Sequence, residues 1–476
     1  MNILKALLVG IFISLSLFTS AQDSLQVMSL NDFYALVISN HPLAKQANTL
    51  PAAAKSEISM ARGGFDPLLK SDFENKEFSS KNYWTEWESK LTLPLWFGPD
   101  LKLGYDNNTG KFLDNSRITP DGGLTYVGIT VPLGQGLLID QRRAALRIAQ
   151  LSATMADAEK VKLINKLLLE AAKDYWDWTY TFYRSRLQEE SLRLATVRFN
   201  AIRDRVLLGD LPALDSLEAF IEVQNRENVL NQALLELNNA KLIAGTYLWD
   251  DSGRPVELST NILPGIAESD LEPLSSEQLA VLLQLAGDRH PELVKFSVKL
   301  DQLAIERRWA AEKLRPKLNL DYNFLRSGDR PFTTAEQNWS LDNNYKLGVN
   351  FSVPLFLRNE RGKLSLTKIK ISQTAYEQQQ AARDIQTQVL TSWNELVALR
   401  SQLLVQEAQV VNTARMLDGE QYRFDNGDGS VFLINTRENA LINSRIKLVE
   451  LKTKFAKSKA FLYWSSGNLS GIYQTE

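Results

Sequence analysis

Asn40-His41-Pro42-Leu43 returns as Arg289-His290-Pro291-Glu292-Leu293, and these two stretches hold both histidines of the 476-residue chain. In each copy a second proline, Pro67 or Pro316, follows the first by 25 residues. Val131-Pro132-Leu133 and Val353-Pro354-Leu355 come next, each opening a long proline-free, helix-forming segment that ends at Gly209-Asp210 or Gly427-Asp428. Tyr175 and Trp393 each lie 34 residues before the tip glycine, so the register holds inside the long segments. A return helix then runs to Tyr247-Leu248-Trp249 and to Tyr463-Trp464. The chain is one unit written twice: helix, strands, long helix, tip, helix. Two copies of this size do not make a solenoid, whose repeats run roughly 20 to 50 residues.

The expected organisation is a signal peptide over 1–21, a first repeat over 22–249, a linker rich in Asp, Ser, Gly and Pro over 250–275, a second repeat over 276–464 and a tail over 465–476. Lys5, the apolar run Ala6 to Phe18 and the small residues Thr19-Ser20-Ala21 form a cleavable secretory signal. No later stretch reaches the roughly 18 apolar residues of a membrane-spanning helix, so insertion would have to use strands. Cysteine is absent, which excludes disulfides, thiolate metal sites and a lipid anchor on a mature N-terminal cysteine. The formal charge of -2 leaves no cationic excess for nucleic acid. Each histidine precedes a helix-interrupting proline, a position that reads as structural punctuation rather than as a metal ligand. No cofactor motif, nucleophile elbow, phosphate loop or HExxH appears.

Strand signals fill the interval between the prolines. Trp87, Ser89, Leu91, Leu93, Leu95 and Phe97 alternate with Glu88, Lys90 and Thr92, and Tyr345, Leu347, Val349, Phe351 and Val353 alternate with Lys346, Gly348, Asn350 and Ser352. Leu318 to Phe324 and Val127 to Val131 alternate likewise. Leu69–Phe78 is weaker, with Lys70, Asp72, Glu74 and Lys76 on one face. Trp84, Trp96, Tyr105, Tyr126, Phe332 and Trp339 at the ends suit an interfacial aromatic girdle. Pro67–Pro132 is longer than Pro316–Pro354 and leaves room for an extra hairpin about Gly98-Pro99. The helical segments 136–208 and 358–426 would each be on the order of 100 Å long if continuous. Seven-residue spacings, Leu137, Ala144, Leu151, Ala158 and Val389, Leu396, Leu403, Val410, Leu417, point to coiled-coil packing.

In the duplicated HP elements, the strand exits Val131-Pro132-Leu133-Gly134 and Val353-Pro354-Leu355-Phe356, and the tips Gly209-Asp210 and Gly427-Asp428, the chain resembles TolC-type outer-membrane efflux proteins over nearly its whole mature length. The resemblance implies a mixed α/β membrane protein. It would be a homotrimer whose protomers each give about four strands to one outer-membrane β-barrel, continued by a periplasmic α-helical barrel. It also implies a passive exit duct of a tripartite pump or type I secretion system in a Gram-negative outer membrane. Its partners would be outer-membrane lipid, an inner-membrane transporter and a periplasmic adaptor docking at Gly209, Asp210, Gly427 and Gly429. Pro67, Pro132, Pro316 and Pro354 would mark the strand–helix junctions.

Carboxylates at such tips can ring a lumen. Asp215 and Glu218 hold the sixth and ninth positions after the first tip glycine, whereas Leu433 and Thr436 hold them in the second half. Asp425 and Asp428 are the substitutes there. The competing expectation is that Asp210 and Asp428 cap the return helices. Arg203, Arg205 and Arg423 are cations near the tips. The aromatic cluster Tyr175, Trp176, Trp178, Tyr180, Phe182 and Tyr183 reads as packing between helices. Two other classes compete with a duct: a coiled-coil scaffold or adhesin whose strands form a soluble cap, and a hydrolase using His41 or His290.

Overall fold

The computed structural model describes residues 26–259, 261–328 and 344–473. The expected signal peptide and the aromatics Phe332 and Trp339 lie outside these residues. The chain runs β1 (Gln26–Met28), α1 (Leu30–Asn40), α2 (Pro42–Arg62), β2 (Leu68–Phe78), β3 (Lys81–Pro94), β4 (Asp100–Thr109), β5 (Leu124–Pro132), α3 (Gln141–Leu207) and α4 (Ala213–Gly245). The second half runs β6 (Ile262–Pro264), α5 (Ser276–Asp288), α6 (Pro291–Glu312), β7 (Lys317–Ser327), β8 (Tyr345–Ser352), α7 (Arg358–Asp425), α8 (Val431–Ser465) and α9 (Leu469–Tyr473).

The duplication survives as matched lengths. The long helices have 67 and 68 residues, the return helices 33 and 35, and the helices after the two HP dipeptides 21 and 22. The junction prolines sit only at strand ends, where a missing N–H breaks no ladder: Pro67 and Pro316 just before β2 and β7, Pro132 as the last residue of β5, Pro354 just beyond β8. The stretch expected to be only a linker contains β6 and a short 3-10 turn at Glu268–Leu271.

Two compact units form, each drawing on both halves of the sequence. One contains the chain up to Lys45, Leu163–Ala286 and the residues from Thr387; the other contains Gln46–Lys162 and Gly287–Gln386. The first unit buries Phe33, Tyr34, Tyr175, Trp176, Trp178 and Phe455 almost completely. The Tyr175 hydroxyl bonds Met28 O and Gly265 O, each at 2.8 Å, and so ties down the parallel pair β1–β6. Within α7, Val389, Ser392, Leu396, Leu399, Leu403 and Gln406 are buried, alternating steps of three and four residues as a coiled-coil seam does.

The second unit holds one six-stranded antiparallel sheet in the order β2-β3-β4-β5-β7-β8. The resemblance implies about four strands given to a barrel; the sheet of one chain has six, with the extra hairpin paired into it. The expected extra hairpin is β3–β4, which pairs with β2 on one side and β5 on the other, and its turn is closed by Leu95 N–H donating to Pro99 O at 2.9 Å.

Candidate functional site

Ladder register places directly opposed residues on one face, so the face of every side chain in the sheet can be read from its partner. Starting from Leu69↔Leu91 and Phe73↔Trp87, one face continues through Leu91↔Leu103, Leu103↔Val127, Val127↔Phe324 and Ile129↔Tyr322 to Tyr322↔Leu347 and Leu320↔Val349. Each of the six strands gives this face apolar residues, interrupted by Ser71↔Ser89, Asn75↔Thr85, Asn107 and Thr125↔Arg326. The other face carries Lys70↔Lys90, Asp72↔Glu88, Glu88↔Asp106, Thr130↔Asp321 and Asn323↔Lys346. Asp321 is its hub: Lys102 Nζ donates to it at 2.7 Å, Asn350 Nδ2 at 2.7 Å, and the Thr130 hydroxyl also donates. A wall with lipid on one side and water on the other needs this division. Of the aromatics expected in a girdle, Tyr105 lies on the apolar face, but Tyr126 and Trp84 follow the period of two onto the polar face. They are therefore not part of an apolar ring.

The tips are built alike. At the first, Gly209 N–H donates to Val206 O at 3.0 Å and Asp210 N–H to Arg205 O at 2.9 Å; at the second, Gly427 N–H donates to Phe424 O at 3.0 Å and Asp428 N–H to Arg423 O at 3.0 Å. These are two Schellman motifs, and both glycines have φ of 85°. The expectation that Asp210 and Asp428 cap the return helices is overturned. The N-cap of α4 is Pro212, without a side-chain bond, and that of α8 is Ser430, whose hydroxyl accepts from Leu433 N–H at 3.3 Å. Each aspartate lies two or more residues too early, its backbone committed to the preceding helix. Gly429 packs so closely on Phe424 that a Cβ would meet its backbone at 2.8 Å.

Asp215 sits in the first turn of α4, half-buried, with Glu218 one turn on, while Asp425 ends α7 and is exposed along with Asp428. The two tips share a small core in which Ile202, Ala219 and Val431 are packed by Phe199, Val206, Leu211 and Phe424. Arg205 lies over the Phe424 ring, Arg203 pairs with Asp204 at 3.3 Å, and Arg423 reaches Glu420 at 3.9 Å.

Above the tips lies a charged cluster that sequence reasoning missed. Arg226 on α4 binds Glu222 at 2.8 Å, Glu438 of α8 at 3.1 Å and Ser191 O of α3 at 2.9 Å. Arg198 of α3 also reaches Glu438 at 2.6 Å. Asn439 closes the group on Glu222 at 2.9 Å.

Both histidines act as the punctuation expected of them. His41 Nδ1 accepts from Leu43 N–H at 3.1 Å, and His290 Nδ1 from Glu292 N–H at 3.2 Å. Of the aromatic cluster, Tyr175, Trp176 and Trp178 are buried packing residues, while Tyr180, Phe182 and Tyr183 are half-buried.

Among known structures, the chain is similar to the MtrE outer membrane channel of Neisseria gonorrhoeae in its open state (13% identity, 92% of this chain and 89% of that one, TM-score 0.67). It is also similar to VceC of Vibrio cholerae (14%, 92% and 96%, 0.64) and to the CmeC outer membrane channel of Campylobacter jejuni (12%, 94% and 88%, 0.63). No curated protein matches the chain. The fold is that of a TolC-type outer-membrane channel. Residues 282–468, in the second half of the chain, match the family model described as outer membrane efflux protein.

Proposed function

We propose that the protein is the passive outer-membrane exit duct of a tripartite efflux pump or type I secretion system. It works as a homotrimer, secreted by a cleaved signal at 1–21 and held in the membrane by strands rather than by a lipid anchor. A periplasmic adaptor docks at the tips around Gly209, Asp210, Gly427 and Gly429, and an inner-membrane transporter supplies the energy. Asp215, Glu218, Asp425 and Asp428 are the carboxylates placed to line a gate there. The repeats are 22–249 and 276–464, joined through 250–275.

The observation that carries this reading is the sheet divided across six strands into an apolar and a polar face. Among the described residues no helix is long and apolar enough to cross a membrane, so the sheet is the element chemically suited to lipid. Trimer formation is supported by a second stripe on α7: Leu390, Val397, Leu404 and Val411 recur every seven residues and are all exposed, beside the buried seam already described. On α4, Leu214, Ile221, Leu235 and Leu242 keep the same phase and are likewise exposed. Such stripes fit packing against further copies. Both histidine Nδ1 atoms are engaged as helix caps, which counts against a hydrolase.

Imaging outer-membrane-purified protein by electron microscopy, with particle mass in parallel, tests the reading. A three-fold tube well over ~100 Å long, as helices of this length require, is expected. A monomer from the soluble fraction overturns it in favour of the scaffold.

A further inference from the structure

We propose that the sheet closes with two other copies through β2 of one protomer and β8 of the next, giving the trimer an eighteen-strand wall instead of twelve. This rests on the reading of the protein as a trimeric duct. The sheet is an unbroken meander, so among the described residues its edges are its first and last strands. Six is an even number, and β2 and β8 therefore run in opposite directions. The β8 strand of one copy meets β2 of the next in the antiparallel sense of every other pair, which identical copies can repeat around a ring.

Both edges have the properties of an unfinished wall. Every residue of β2 is exposed, and every residue of β8 except Gly348, while the four strands between them are largely half-buried. Unpaired N–H and C=O groups along such edges are not tolerated in lipid. The apolar face also reaches both edges, as Leu69 and Phe73 on β2 and as Leu347, Val349 and Phe351 on β8.

A hairpin folded away from the membrane has no reason to keep that register. Yet Thr85 to Leu91 of β3 pair over the same span with Asn75 to Leu69 on one side and Thr109 to Leu103 on the other. All six strands thus carry the wall's chemistry. Diameter grows roughly linearly with strand number, so the mouth is about half again as wide as a twelve-stranded one and falls in the range of the 16- to 18-stranded porins.

Two measurements test this on the full-length trimer. A cryo-electron microscopy map of the wild-type particle is expected to show eighteen strands; a three-fold tube with twelve overturns the inference and leaves the duct intact, and particles without a barrel overturn both. Independently, the cysteine-free chain accepts engineered pairs as unique reporters. Asp72→Cys combined with Lys346→Cys or Asn350→Cys, treated with a short bis-thiol linker in membranes, is expected to give covalent dimers and trimers. Assembled trimers that fail to cross-link with either pair overturn the proposal, as do cross-links confined to single protomers. If a variant does not assemble, the wild-type map decides.

Discussion

Arg226 and Glu438, 212 residues apart in sequence, meet at 3.1 Å with side chains 4% and 2% exposed. Removing one member of a buried pair leaves its partner's charge stranded, at roughly 3–5 kcal/mol. Glu438→Ala leaves Arg226 with Glu222 as its one carboxylate and Arg198 with only the neutral Asn435. We expect a loss of that size in the thermal or denaturant unfolding of the helical region, and a smaller loss when Arg226→Met is combined with it. Equal losses in the single and double variants would contradict the pairing.

The tip glycines have open space around the missing Cβ, so an alanine there meets only backbone strain. A left-handed conformation costs an L-residue roughly 1–2 kcal/mol. Gly209→Ala and Gly427→Ala should each destabilise by that amount, while Gly429→Ala, where a Cβ meets Phe424, should cost more. Hydrogen exchange at residues 205–215 and 423–433 reads the effect locally.

Burial pushes His290 below its ordinary value, opposed by Glu292 and reinforced by Lys162, and the neutral ring is the form whose Nδ1 caps α6. The unfolded chain takes up its proton first, below about pH 6.5. The stability this residue contributes is complete at neutral pH and is lost as pH falls through the folded value. His290→Asn keeps a cap without a titrating ring. Stability curves between pH 7.5 and 5 should be flatter for that variant than for the wild type.

Leu403 is 2% exposed and its neighbour Leu404 54%. Leu403→Ala should cost the protomer roughly 2–5 kcal/mol as a core truncation. Leu404→Glu should leave unfolding nearly unchanged but shift the particle mass towards monomer. A Leu404→Glu protein that remains fully trimeric would remove the second stripe from the interface.

Val349 and Asn350 point to opposite faces of β8. An arginine on the lipid face near mid-membrane costs roughly 2–4 kcal/mol. Val349→Arg should lower the yield of folded, heat-modifiable protein in the outer membrane, and Asn350→Arg should not. The reverse result would mean that the faces have been assigned the wrong way round.

The duplication, the long helices and the positions of the histidines were legible because proline and glycine act locally: His41-Pro42 and Gly427 impose their geometry through their own backbones. The β2 strand was legible only weakly, since Lys70, Asp72, Glu74 and Lys76 signal one polar face while Ser71 and Asn75 interrupt the other. Three features were not legible. Arg226 and Glu438 sit mid-helix among many similar charges, and only tertiary packing selects them. The three-residue pair β1–β6 is too short to carry a period. Asp210 and Asp428 look like caps, but the Schellman motif consumes their amides one turn before the return helix begins.

The first half gives four strands to the six-stranded sheet where the second gives two, yet the helices that follow match to within two residues. Sidedness explains how both can hold. A segment inserted into a membrane wall must cross it an even number of times, or the next helix is delivered to the wrong compartment. The smallest permissible addition is therefore a hairpin, and in the proposed trimer each one counts as six strands. Aperture in such an assembly is quantised by parity, and it can change without altering the long helices and their tips.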